Sequence, residues 1–137
     1  MAATQLVVFT LGGEQYGLPI TRVQEIIRYT EPRSVTSGSP LVRGVINLRG
    51  RIIPVLDVAL EIGCAHDAAQ AEIVIVETPQ GTVGMIVDDV DEVLEVDETQ
   101  LAAIPTARQG LDTVATVGER LIVLLDPQAL AVDEIAA

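Results

Sequence analysis

The chain has 137 residues, which suits one domain with a sizeable core, and its net charge of −12 argues against binding nucleic-acid phosphates. All eight basic residues are arginine, which excludes lysine chemistry such as Schiff bases, and the single cysteine excludes an intramolecular disulfide. Residues 1–69 hold six acids and six arginines, whereas residues 70–137 hold fourteen acids and two arginines, so the second half carries the net charge.

The apolar runs are too short to cross a membrane. The longest hold about five to six residues, against the roughly twenty that a membrane-spanning helix requires. The N-terminus shows no basic stretch followed by an apolar run, so it carries no secretion signal. We therefore expect a cytoplasmic protein with no direct membrane insertion.

The N-terminal part predicts a β-hairpin followed by a short helix. Residues 6–11 are mostly β-branched and apolar, and Gly12 and Gly13 permit a tight turn into "EQYGLPI". From Pro19 onward the spacing of apolar residues predicts a helix. These residues are Ile20, Val23, Ile26 and Ile27. Residues 34–40 are rich in Ser, Thr, Gly and Pro, which predicts a loop.

The next segment, "VRGVINLRGRIIPVL", predicts strands over 42–48 and 51–56, joined by a turn at Arg49 and Gly50. Consecutive apolar residues leave the second strand without a polar face, so we expect both of its faces to be covered. Pro54 cannot donate a ladder hydrogen bond, which predicts an edge, a bulge or a barrel corner.

The strand pattern restarts after a short helix predicted over 57–63. "AEIVIVE" and "TVGMIV" predict a hairpin around Pro79, and "TVATV" and "RLIVLLD" predict another around Gly118. Between them, apolar residues continue through an acidic segment, at Val87, Val90, Val93 and Leu94. An Asp-Pro pair then predicts a closing helix over 127–132.

Many short strands separated by glycine or proline turns are typical of an all-β barrel or sandwich. Each half of the chain contains strands and a short helix, which favours two small barrels that share one hydrophobic core. Val, Ile, Leu and Ala must build that core, because the aromatic residues are only Phe9, Tyr16 and Tyr29.

Few residues offer catalytic or metal chemistry. Cys64, His66 and Asp67 form a soft-ligand cluster, but no further Cys or His could complete a zinc site, and a nucleophile would have only His66 as its base. The acidic segment 88–98 lacks the ligand spacing of a calcium loop, so we interpret it as a solvated face over a buried stripe. We expect no metal and no cofactor, while carboxylate pairs for acid–base chemistry remain open.

The turn at Arg49 and Gly50 has two interpretations. A hairpin turn favours glycine and exposed arginines are common, so the turn could be structural alone. Two arginines between apolar strands could also mark a contact site.

Four blocks, in this order and spacing, resemble the CheW family of bacterial chemotaxis coupling proteins: "FTLGGEQYGLPITRVQEI", "VRGVINLRGRIIPVLDV", "GMIVDDVDEVLEV" and "RLIVLLD". The resemblance extends from residue 6 to residue 130. It implies a stand-alone domain over residues 1–137. Its approximate subdomains would be 14–70 and 71–130, the second together with the N-terminal strand 5–12.

The resemblance implies an all-β fold of two five-stranded SH3-like barrels on a common hydrophobic core, with a few short helices. It also implies a non-enzymatic adaptor that couples the cytoplasmic tip of a chemoreceptor to the regulatory domain of a histidine kinase. Such an adaptor would be recruited to membrane-associated receptor arrays. It would need no cofactor and would bind no nucleic acid.

The resemblance assigns contacts with receptor or kinase by motif. Asn47, Arg49 and Gly50 match the family's Asn-x-Arg-Gly turn, in which the arginine is a functional position. The other matching positions are Val23, Glu25, Gly44, Gly84, Val90 and Val93.

Two alternatives stay open. An adaptor of a parallel chemosensory pathway, such as one that governs twitching motility, belongs to the same functional class. A small ligand-binding or hydrolytic β-barrel would instead require an enclosed apolar pocket with convergent acids.

Overall fold

The computed structural model of the protein describes residues 3–34, 42–57, 71–78, 81–104 and 113–125. These residues form eleven strands and two 3-10 turns, Ile20–Arg22 and Glu98–Gln100. The strands are β1 (Ala3–Leu11), β2 (Glu14–Pro19), β3 (Val23–Arg28), β4 (Val42–Leu48), β5 (Arg51–Leu56), β6 (Glu72–Thr78), β7 (Gly81–Val87), β8 (Asp89–Asp97), β9 (Leu101–Ala103), β10 (Thr113–Val117) and β11 (Arg120–Leu124).

The strands form two sheets, which confirms the all-β prediction. Sheet A has the order β8-β1-β2-β11-β10-β9, and sheet B has the order β3-β6-β7-β5-β4. Neighbouring strands are antiparallel except for β2 with β11 and β5 with β7, which are parallel. The hairpins predicted for β1–β2, β4–β5, β6–β7 and β10–β11 are all present.

A short link joins the outer strands of each sheet and closes it into a barrel. In sheet B, Arg33 lies beyond the end of β3 and exchanges backbone hydrogen bonds of 2.8 and 2.9 Å with Val45 of β4. In sheet A, the turn Glu98–Gln100 joins β8 directly to the short strand β9, which raises the strand count from five to six. Closure removes unpaired edges on which other chains could pair.

Three apolar clusters fill the part of the molecule that the structure describes. Barrel A is filled by Leu6, Val8, Val96, Ala115 and Ile122, and barrel B by Ile46, Ile53, Val55, Ala71, Ile73, Ile75 and Ile86. A third cluster, which we call the shared core, contains residues from both sheets: Phe9, Leu11, Leu18, Leu56, Val74, Val76, Val83, Met85, Val87 and Leu125. Neighbouring residues of β6 point alternately into barrel B and into the shared core, so this strand is apolar on both faces.

Strand β3 stands where the sequence predicted a helix, and that prediction was wrong. Only Ile20–Arg22 is helical, whereas β3 pairs with β6 and its half-buried residues alternate with exposed ones. In so short a segment, a helix and a strand predict nearly the same positions for the apolar residues, so the spacing does not distinguish them. The β-branched residues of β3 and the ladder offered by β6 then favour the strand.

Strand β5 is covered on both faces only in its second half. Ile52 is 65% exposed, which contradicts the prediction of two buried faces. The reason is that β5 pairs with β7 only from Val55 onward. Pro54 lies opposite Val45, one residue before that pairing begins, so its missing N–H leaves the parallel pairs intact.

The two sheets divide the chain differently from the predicted subdomains 14–70 and 71–130. Strand β2 belongs to sheet A, and β6 and β7 belong to sheet B. The reason is that the β6–β7 hairpin forms the middle of sheet B, where it pairs with β3 on one side and β5 on the other.

Several predicted features lie outside the described residues. These are the loop beyond Ser34, the helix over 57–63 beyond Asp57, the cluster of Cys64, His66 and Asp67, and the closing helix over 127–132. Among the helical segments that the structure does describe, none has the length and apolarity needed to span a membrane.

Gly84→Ala should lower the free energy of unfolding by about 1–3 kcal/mol, the usual cost of overpacking a core. A Cβ at this buried position would lie 2.8 Å from Ile73 Cγ2, a methyl group on a stiff, branched side chain. Urea denaturation followed by circular dichroism measures the change.

Gly17→Ala is the matched control for this substitution. Gly17 is also buried, but its added Cβ would come no closer than 3.2 Å to a neighbour, Ile122 Cγ2. We expect a smaller loss of stability, and an equal or larger loss would contradict the packing explanation.

Acid should weaken the link between β8 and β9 through Asp97. The Asp97 carboxylate accepts hydrogen bonds from the hydroxyl and from the backbone N–H of Thr99, which lowers its pKa below the usual value. A carboxyl whose pKa is lower in the folded state stabilises the fold above the unfolded-state pKa, and this contribution is lost as the pH falls through the folded-state pKa. Asp97→Asn lacks the titrating charge. The stability advantage of the natural chain over Asp97→Asn should therefore be complete near about pH 6, begin to fall near about pH 4 and disappear only well below about pH 4, as measured by urea midpoints. An advantage that persists unchanged in acid would contradict the assignment.

Candidate functional site

Arg49 and Gly50 form the two-residue turn of the β4–β5 hairpin, because Leu48 pairs with Arg51. Their φ angles are 53° and 87°, both positive as a type I′ turn requires. The Asn47 side-chain oxygen accepts a hydrogen bond from Gly50 N at 2.8 Å. Asn47 and Gly50 therefore shape the turn, and Arg49 occupies its exposed tip.

Arg49 forms an ion pair with Glu25 of β3 across the end of barrel B. The Arg49 side chain remains 69% exposed and that of Glu25 31% exposed, so the pair can reach a partner. The hydrogen bond from Arg49 to the Glu25 carboxylate, followed by the attraction between the two charges, raises the pKa of Arg49 above its usual value. Arg49 is thus a fixed, permanently charged group on the surface.

A second polar network fixes the same hairpin. Arg51 Nη2 donates to Thr82 Oγ1 at 2.7 Å, and Thr82 in turn donates to the Glu77 carboxylate. The Gln24 amide donates to the same carboxylate. The network therefore connects β5, β7, β6 and β3 around the end of barrel B. It holds β3 at Gln24, the residue directly before Glu25, which binds Arg49.

This second network was not predicted from the sequence. The available signal was positional, because Arg51 follows one hairpin turn directly and Glu77 and Thr82 flank another. Polar residues at the ends of apolar strands line the open end of a barrel, where the apolar rows stop.

Gly44 and Gly84 have packing roles inside barrel B. A Cβ at Gly44 would lie 2.2 Å from the backbone oxygen of Arg33, whose pairing with Val45 closes the barrel. Both glycines are buried.

The structure places the other predicted contact residues on two strands. Val23 lies on β3 two residues from Glu25 and packs against the shared core. Val90 and Val93 lie on β8 of sheet A, where Val90 packs against the same core and Val93 is 51% exposed. Asn47, Arg49, Gly50 and Glu25 thus form one surface, and β8 carries another.

Strand β8 has a polar network of its own, which sequence analysis also missed. Arg120 of β11 forms an ion pair of 2.8 Å with Glu92 and donates to Gln15 at 3.1 Å. The Asp91 carboxylate accepts hydrogen bonds from Thr10 at 2.7 Å and from Gln15 at 3.3 Å. Protein side chains from other strands therefore hold the carboxylates of Asp91 and Glu92. Among the described residues, no three His, Cys, Asp or Glu side chains are placed to hold a metal ion.

Comparisons with known proteins agree on one family. The family model described as the CheW-like domain matches residues 5–134. The chain is 31% identical to the chemotaxis protein CheW of Klebsiella aerogenes, over 95% of this chain and 82% of the relative. It is 28% identical to the chemotaxis protein CheW of Bacillus subtilis, over 92% of this chain and 85% of the relative.

A solved structure shows the same fold. The crystal structure of the scaffolding protein TtCheW from Thermoanaerobacter tengcongensis matches with a TM-score of 0.84 at 30% identity, over 93% of this chain and 87% of that chain. On the extent of the family match and the agreement of the two folds, the chain belongs to the CheW-like domain family.

Proposed function

We propose that this chain is a non-enzymatic chemotaxis scaffold, which couples the cytoplasmic tip of a chemoreceptor to the regulatory domain of a histidine kinase. The observation that carries the proposal is Arg49, an exposed and fixed charge at the tip of a rigid hairpin in a CheW-like chain. The names of the relatives support it, since they are chemotaxis proteins and the structural match is to a scaffolding protein.

The arrangement of the surface suits a protein that holds two partners. Arg49 and Glu25 lie at the end of barrel B, whereas Val93 lies on the outer strand of barrel A. In this proposal Arg49 and Glu25 contact a partner directly, and Asn47 and Gly50 fix the turn. Val23, Val90 and Val93 contribute apolar contact, and the buried Gly44 and Gly84 keep the frame in shape.

A planar guanidinium held at one end by Glu25 is suited to such a contact. Its remaining N–H groups can make oriented hydrogen bonds to a partner, and arginine is enriched among the residues that dominate binding energy. Because the ion pair with Glu25 already restricts the Arg49 side chain, this side chain should lose little further conformational entropy when a partner binds.

The packing of both barrels favours an adaptor over the alternative of a ligand-binding or hydrolytic barrel. Aliphatic side chains with 0–6% exposure fill both interiors. The chemotaxis relatives likewise favour a chemotaxis pathway over one governing twitching motility. We propose a cytoplasmic location, with recruitment to receptor arrays through the two partners.

Arg49→His should keep the fold and weaken coupling. Histidine has the shorter side chain and loses the guanidinium fork, so we expect a loss of affinity of about tenfold or more for one partner. Receptor-dependent stimulation of kinase autophosphorylation should fall with it in a reconstitution of receptor tips, kinase and this chain.

Arg33→His is the matched control, because Arg33 is an exposed arginine of the same barrel whose structural role lies in its backbone hydrogen bonds. It should leave coupling and affinity near the natural values. Full kinase control by Arg49→His, with an unchanged unfolding midpoint, would remove Arg49 from the site.

A further inference from the structure

The bulge of β3 determines the side of the strand on which Glu25 lies. Residues two apart in a regular strand share one face, so Val23 and Glu25 would face the same side. Val23 pairs with Val76, whose side chain lies in the shared core. Glu25 pairs with the neighbouring Ile75, whose side chain lies in barrel B, and Gln24 is the extra, bulged residue. The bulge therefore places Glu25 on the side that faces barrel B.

Side chains from three other strands hold the bulged residue. The Gln24 amide donates to the Glu77 carboxylate of β6, and Thr82 of β7 donates to the same carboxylate. Arg51 of β5 donates to Thr82 at 2.7 Å. A bulge interrupts the ladder of backbone hydrogen bonds, so these side-chain bonds are a second means of fixing the extra residue. We call Gln24, Glu77, Thr82 and Arg51 the bulge network.

Barrel A repeats the bulge with other residues. Strands β8, β1, β2 and β11 of sheet A occupy the places that β3, β6, β7 and β5 occupy in sheet B. In β8, Val90 pairs with Phe9 on the side of the shared core. Glu92 pairs with Val8, which fills barrel A, and Asp91 between them is bulged. This bulge also places a glutamate on the side that faces its barrel.

A hydrogen-bond network holds this second bulge from the same positions. The Asp91 carboxylate accepts hydrogen bonds from Thr10 of β1 and Gln15 of β2. Arg120 of β11 donates to Gln15, and it directly follows a hairpin turn, as Arg51 does. The pairing of the strands makes four positions equivalent: Gln24 and Asp91, Glu77 and Thr10, Thr82 and Gln15, and Arg51 and Arg120. Three of the four residue types differ, yet the connection recurs, which indicates that a bulge at this place requires side-chain support.

The two barrels differ in the arginine that binds the glutamate. In barrel A one arginine, Arg120, both joins the network and forms the ion pair with Glu92. In barrel B, Arg51 joins the network, whereas Arg49 forms the ion pair with Glu25 from the exposed tip of the turn. The position of an exposed charge therefore depends on Glu25, and through Glu25 on the bulge.

We propose that the bulge network positions Arg49 for partner binding. The network fixes the bulge, the bulge places Glu25, and the ion pair with Glu25 orients the Arg49 guanidinium before a partner binds. This inference rests on the proposed function, and none of the four residues of the network is among those that the family resemblance assigns. Two of them, Glu77 and Thr82, are half-buried, which suits support better than contact.

Thr82→Val tests the proposal, because valine has nearly the same shape and lacks the hydroxyl that connects Arg51 to Glu77. NMR of the free chain would follow the guanidinium N–H signals of Arg49, with Glu25→Ala as the reference for an arginine without its ion pair. We expect Thr82→Val to move these signals toward those of the reference. Thr82→Ser keeps the hydroxyl and should keep the natural signals.

Calorimetry would measure the binding of each chain to a receptor-tip fragment and, separately, to the kinase regulatory domain. Thr82→Val should lose about threefold or more in affinity for the protein that Arg49→His binds less tightly, and Thr82→Ser should stay within about twofold of the natural chain. In the Arg49→His background, Thr82→Val should cause less than about twofold further loss, because a residue that acts through Arg49 has nothing left to position.

A matched control and a second variant complete the experiment. Thr10→Val removes the hydroxyl that donates to Asp91 in the equivalent network of barrel A. It should keep the natural Arg49 signals and leave affinity for the same protein within about twofold. Gln24→Met removes the amide donor at an exposed position, where loss of folding is not expected, and should reproduce both effects of Thr82→Val. Urea midpoints near that of the natural chain would show that the variants fold.

The outcomes separate this inference from the proposed function. If the natural chain binds both proteins and Arg49→His loses one of them, but Thr82→Val and Gln24→Met keep the natural affinity or the natural Arg49 signals, the network does not position Arg49 and the scaffold proposal stands. An equal loss by Thr82→Ser, an equal change of the Arg49 signals by Thr10→Val, or a full further loss in the Arg49→His background would likewise overturn the inference. A natural chain that binds neither protein would overturn the proposed function, and this inference with it.

Discussion

The shared core between the two barrels is the constraint on which the rest of the structure depends. The β1–β2 and β6–β7 hairpins fill their own barrels with one face and meet the other barrel with the opposite face, so long stretches of these strands are apolar on both sides. Because aromatic residues are few, β-branched and other aliphatic side chains must fill the space, and these pack with little freedom of rotation. Little surface on these hairpins is therefore exposed, and most of the exposed surface lies on the outer strands, the hairpin tips and the ends of the barrels.

The ends of the barrels also explain why the polar networks lie where they do. Apolar rows stop there, and the side chains that follow must hydrogen-bond to one another or to water. In barrel B, Arg49 forms an ion pair with Glu25 and Arg51 donates to Thr82. These two contacts attach the β4–β5 hairpin to β3 and β7. A tip held in this way presents its charge in a restricted range of orientations.

The strands were largely predictable from the sequence, and the contacts between them were not. Apolar and β-branched runs bounded by glycine or proline turns predicted all four hairpins, because those signals are local. Strand β3 was mistaken for a helix, since six residues do not separate the two periods and the deciding contact, with β6, lies some fifty positions away. The family resemblance predicted Arg49 as a contact residue. Its ion pair with Glu25 could not be predicted, because the two residues come together only when barrel B is closed. Residues 22–28, "RVQEIIR", and residues 89–95, "DVDEVLE", share the pattern Val-x-Glu followed by two aliphatic residues. This similarity was not recognised from the sequence, because it becomes apparent only when the bulges of β3 and β8 are aligned.

Folding alone does not explain the charge of β8. Asp91 and Glu95 flank Val93 on a strand that also carries Asp89, Glu92 and Asp97, and Arg120 is the one cation that the structure pairs with it among the residues described. Like charges this close repel one another and lower the stability of the folded chain. Strand β3 shows that a strand with a similar bulge and a glutamate paired to an arginine forms within residues 22–28, whose net charge is +1, so the fold does not require the acids.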